Sequence, residues 1–66
     1  MQITFERAVE IAVEKLHFSF ALTQFSVERV CDDRMSRGVD ELPSTEDDRD
    51  WLMEVNEKIQ YVGQDW

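Results

Sequence analysis

Apolar residues recur along the first half of the chain with the period of an α-helix. Phe5, Ala8, Val9, Ala12, Val13, Leu16, Phe20, Val27, Val30 and Cys31 share one broad face at about 100° per residue. No Gly or Pro occurs between Met1 and Arg37. The backbone chemistry therefore permits a helix from about Thr4 to Met35. Thr4 is placed to cap it, and Glu6 suits the positive first turn. Arg34 and Arg37 suit the negative end, and Gly38 is the expected terminator. Arg29 with Asp33, and Asp33 with Arg37, have the four-residue spacing of ion pairs along one helix.

A second apolar patch, Ile11, Phe18, Leu22 and Phe25, falls on the opposite side of the same wheel. Two arrangements compete. The helix can break at His17–Ser19, where His-Phe-Ser-Phe alternates and helix propensity dips, giving a three-helix arrangement. Alternatively it runs on and is apolar on two sides, one for the rest of the chain and one for a second subunit. The continuous helix is preferred, because the main face stays in register through the suspect region.

Gly38 and Pro43 bracket a polar linker from Ser36 to Pro43. Ser44-Thr45-Glu46-Asp47 then reads as a helix start, with Ser44 as cap. The second helix is expected from about Thr45 to Val62. Trp51, Leu52, Val55, Ile59 and Val62 form its apolar stripe, and Gly63 follows as the expected C′ residue. Met53 and Tyr61 lie off that stripe, where exposed Met and aromatic side chains suit an interface. Trp66, in the tail, could anchor on a surface. The fold class is all-α: one domain, residues 1–66, in which a long N-terminal helix packs on a C-terminal helix in a small bundle.

A chain of 66 residues is short for a self-sufficient core, which at this size rarely supplies more than roughly 3–5 kcal/mol. Cys31 is the single cysteine, so no disulfide closes within the chain. One unpaired cysteine fits a reducing compartment, and the expected location is the cytoplasm. The start lacks the basic-then-apolar pattern of a signal peptide, and no stretch approaches the roughly 18 apolar residues that span a bilayer. The expected staple is another polypeptide: a second copy through Ile11, Phe18, Leu22 and Phe25, or a target protein.

Charge changes this picture most. Residues 1–39 carry six acids and five bases, whereas residues 40–66 carry nine acids and two bases, for a net charge of −8. Asp47, Asp50, Glu54 and Glu57 are spaced three, four and three residues apart, which places a carboxylate ridge on one helix face. Asp40 and Glu41 extend the acid into the linker, and Glu6, Glu10 and Glu14 form another ridge. A solvated, solubilising face is one account of these acids. The other is imitation of a nucleic-acid strand, since helical steps of three or four residues space the charges by about 4.5–6 Å. Such a ridge suits a groove lined with Lys and Arg and works against direct binding to nucleic acid or an anionic membrane.

Chemistry on side chains is poorly served. His17 is the single histidine, and with Cys31 it cannot complete a zinc site. Cys31 lies on the apolar face with no base suggested beside it. The acids of Asp40–Asp50 lack the alternating ligands and central Gly of a calcium loop. No Gly-rich phosphate loop is present. The expectation is a non-enzyme with no metal or cofactor.

In size, and in the acids of Asp40–Glu57, the chain resembles small phage-encoded inhibitors, among them DNA mimics and anti-CRISPR proteins. The resemblance implies a host nuclease, polymerase or surveillance complex as target, blocked at its nucleic-acid site in the host cytoplasm. The expected function is therefore inhibition of a nucleic-acid-handling protein by occupation of its basic surface. Asp40, Glu41, Asp47, Asp50, Glu54, Glu57 and Tyr61 are the expected contacts. The alternative is a helical dimerisation or adaptor module that binds through apolar faces, with the acids only solubilising.

Overall fold

The computed structural model describes residues 3–64. They form three helices: α1 Phe5–Leu16, α2 Phe20–Ser36 and α3 Arg49–Gly63. No strand occurs among the described residues. α2 packs against both neighbours, most extensively against α3.

Thr4 caps α1 as expected, its Oγ1 accepting from the Arg7 N–H at 3.2 Å. The preferred continuous helix is not what forms. His17 turns left-handed (φ 62°) while its N–H still bonds the Val13 carbonyl. Ser19 then starts a new helix, its Oγ accepting from the Leu22 N–H at 3.3 Å. A straight helix from Thr4 to Met35 would be about 48 Å long at 1.5 Å per residue, more than twice the roughly 22 Å that the 15 residues of α3 can cover. Folding back at His17 lays α1 on α2. It buries Ala8, Val9 and Ala12 in one cluster with Val27, Val30, Cys31, Trp51, Val55 and Ile59.

The break also re-phases the apolar pattern. Ile11, expected at an interface between copies, is buried within the chain at 2% exposure. Phe18 and Leu22 are half-buried against the core. Phe20, expected on the main apolar face, is 57% exposed, and Phe25 is 43% exposed. Thr23 and Ser26 instead occupy buried positions of α2, and neither hydroxyl has a hydrogen-bond partner.

α2 ends as its sequence suggests. Gly38 (φ 75°) donates to the Met35 carbonyl and Val39 to the Arg34 carbonyl, the paired bonds of a Schellman ending. The start of α3 lies later than expected. Asp48, not Ser44, is the cap: its Oδ1 accepts from the Trp51 N–H at 3.1 Å and its Oδ2 from the Ser44 N–H at 3.4 Å. One carboxylate thus closes both the loop and the helix end, which a single hydroxyl at Ser44 does not. Gly63 remains helical and Gln64 follows as the cap. Trp66 lies outside the described residues.

The loop between α2 and α3 is pinned at Glu41 and Pro43. The Glu41 carbonyl accepts from the buried Trp51 Nε1 at 3.2 Å and from Cys31 Sγ at 3.4 Å. The Pro43 carbonyl accepts from the Ile3 N–H at 3.2 Å. These bonds hold the acidic loop to α3 through Trp51, to α2 through Cys31 and to the segment before α1 through Ile3.

Candidate functional site

α3 buries Trp51, Val55, Ile59 and Val62 and turns Asp50, Met53, Glu57 and Tyr61 outward. The outward set repeats at three and four residues, so it forms one strip along the helix. Its acids and hydrophobes alternate. Met53 is 60% and Tyr61 64% exposed. Neither Asp50 nor Glu57 makes an ion pair among the described residues.

The four-acid ridge is therefore not uniform. Asp47 precedes α3 and pairs with Lys15 of α1 at 3.2 Å. Glu54 is held by Arg37 Nη2 at 2.6 Å, with Arg34 Nε 3.2 Å from its other oxygen. Arg34 Nε lacks the alignment of a hydrogen bond in that contact. Two of the four acids thus tie the bundle together, and two face outward without partners. The pairs expected along α2 do not form, because Asp33 reaches Lys58 of α3 at 2.7 Å and Arg37 reaches Glu54. Two antiparallel neighbours brought together offer cross-helix partners that the spacing within one helix does not reveal.

The other sequence-predicted contacts divide by place. Asp40 is exposed and shares a loop cleft of about 480 Å³ with Arg34, Asp48 and Asp50. Glu41 is half-buried, and its backbone carbonyl is committed to Trp51 and Cys31. Glu54, Glu57 and Tyr61 line a groove of about 610 Å³ between α2 and α3, together with Val30, Asp33 and Arg37. The α2 side of that groove escaped the sequence reading. Its signal was present as Asp33 and Arg37, but only packing shows which neighbour they serve. Phe25 and Leu22, from the expected self-association patch, line a separate apolar cleft with Ser19, Ala21 and Gly63.

Two carboxylates titrate below their ordinary range. A hydrogen bond from Lys58 holds Asp33 down, and one from Arg7 holds Glu46 down. The Arg7 fork is bidentate, with Nε and Nη2 each 3.0 Å from a Glu46 oxygen. Burial pushes the Cys31 thiol up to about 11, aided by the negative charge of Glu41 and Asp32. It is therefore a protonated packing group at neutral pH, not a nucleophile. His17 serves as the left-handed end of α1. Among the described residues no group of three or more His, Cys, Asp or Glu side chains is placed to hold a metal ion. No described helix is long and apolar enough to cross a membrane.

No protein-family model, curated protein or solved structure matches the chain.

Proposed function

We propose that the chain is a small acidic binding domain that docks on the basic surface of a nucleic-acid-handling protein and blocks it. The observation that carries this is the outer strip of α3. Asp50 and Glu57, with no cation of their own among the described residues, alternate there with the exposed Met53 and Tyr61. Free carboxylates attract and orient Lys and Arg. Met and aromatic side chains beside them give the contact a desolvated centre. Asp40, in the cleft with Asp50, extends the negative surface into the loop. Catalysis has no part in this function.

The test is capture from a cell lysate on immobilised protein, with the bound proteins identified. Wild type is compared with the Asp50→Asn, Glu57→Gln double variant. Proteins held by wild type should be released by moderate salt and by duplex DNA, and should be lost on the variant. Retention of the same proteins by the variant, at the same salt, overturns the proposal.

A second function is favoured by a different observation, the exposure of Phe20 and Phe25 on α2. It is the adaptor that binds through an apolar face, in its simplest form as a homodimer. Ile11 no longer belongs to that face, and Phe18 is too involved in the core to probe it. Sedimentation of wild type and Phe25→Glu separates the cases. A dimer that Phe25→Glu dissociates supports the adaptor; a wild-type monomer removes its homodimeric form.

A further inference from the structure

The groove between α2 and α3 joins charges of both signs, but they do not balance. Asp33, Glu54 and Glu57 face Arg37 and Lys58. Both cations are already engaged, Lys58 with Asp33 at 2.7 Å and Arg37 with Glu54 at 2.6 Å. Glu57 is the carboxylate left over. Tyr61 lies four residues on, so its ring and the Glu57 carboxylate sit on adjacent turns of one face. Val30 lies under the groove floor at 1% exposure, so the exposed apolar surface there is the Tyr61 ring. A spare carboxylate and an exposed aromatic ring in one open groove are the components that receive a flat cation.

We propose that this groove is the receptor for a single arginine side chain of the partner, an inference that rests on the docking function above. The guanidinium donates to the Glu57 carboxylate and stacks on the Tyr61 ring. A planar fork satisfies carboxylate and ring at once, which a lysine ammonium does not. An anion is a poor occupant, because the groove's cations are neutralised and its remaining charge is negative.

The experiment is an amide chemical-shift titration of the whole chain with N-acetylargininamide. N-acetylcitrullinamide, which keeps the shape and removes the charge, and N-acetyllysinamide are the comparison probes. Arginine should give saturable shifts at Val30, Glu57 and Tyr61, and citrulline should not. Glu57→Gln should weaken arginine binding about tenfold, the size of one charge-assisted hydrogen bond. Tyr61→Ala should weaken it as well, whereas Glu14→Gln, an equal change of net charge on α1, should not. Unsaturable shifts, equal binding of citrulline, or indifference to Glu57→Gln overturns the assignment, and lysine binding as tightly as arginine overturns its preference for guanidinium. The two proposals fail separately. If arginine does not titrate but neutralising Asp50 alone still abolishes lysate capture, the groove assignment falls and docking stands. If arginine titrates into the groove while capture ignores every neutralised acid, the docking function falls.

Discussion

Asp48 and Glu41 show how single residues set this molecule's acidic loop. Asp48 spends both carboxylate oxygens on backbone N–H groups, those of Trp51 and Ser44. Glu41 contributes its carbonyl, which receives Trp51 Nε1 and Cys31 Sγ. Helix caps of this kind are worth about 1 kcal/mol. Asp48→Ala should therefore lower unfolding stability by about 1–2 kcal/mol, since two donors lose their acceptor. Ser44→Ala, at the cap position suggested by sequence, should change it by less than about 0.5 kcal/mol. Urea denaturation of the two variants decides it, and equal losses would return the cap to Ser44. Cys31 has a matching signature. With its thiol pushed up to about 11, it should resist alkylation at neutral pH until the protein unfolds.

At the scale of elements, the decisive feature is the turn between α1 and α2. His17 carries a left-handed backbone (φ 62°) that costs an L-residue about 1–2 kcal/mol relative to glycine. His17→Gly removes that cost but adds freedom to the unfolded chain. The expected net effect is a gain of about 0.5 kcal/mol in a denaturant series. A continuous helix would give the opposite sign, a loss of about 1 kcal/mol for mid-helix glycine. The end of α2 offers the converse substitution. Nothing lies within 4 Å of a Cβ at Gly38, so Gly38→Ala meets only the backbone penalty at φ 75°. It should destabilise by about 1 kcal/mol. An unchanged midpoint would mean that the Schellman ending is not what holds the loop to α2.

For the whole molecule, charge decides how stability follows pH. Repulsion within a free ridge would make mild acid stabilising. Instead, Asp47 and Glu54 are paired to Lys15, Arg34 and Arg37. The carboxylates displaced in the fold are Asp33 and Glu46, both downward from ordinary values of 3.8 and 4.5. A carboxyl depressed in the folded state stabilises above its unfolded pKa, and that contribution is lost as pH falls through the folded value. These two groups should therefore make stability fall as pH drops below about 4.5. Asp33→Asn with Glu46→Gln should flatten that fall, and added salt should reduce it, because both pairs lie at the surface. Denaturation at stepped pH checks this. A rise in stability down the same range would restore the picture of a self-repelling acid face.

Much of the fold was legible along the chain. Helical periodicity is local, and it located the core residues Ala8, Val9, Ala12, Val27, Val30 and Cys31, while cap chemistry located Thr4 and the Gly38 ending. Trp51, Val55, Ile59 and Val62 could be read as one stripe because they share a single unbroken helix. The break at His17 could not be chosen from sequence, because the apolar register stays acceptable with or without it. The choice depends on whether α1 can fold back to cover Val27 and Val30, which is a tertiary gain. Ile11 changed from interface to core, and Phe20 from core to surface, for the same reason. The acids were equally visible in number and spacing, and equally ambiguous in role. Sequence showed an excess of carboxylates. Only packing decided that Glu54, Asp47 and Asp33 would meet cations from other helices while Asp50 and Glu57 would face outward, because a charge pair across two helices depends on their relative placement and not on spacing within either one.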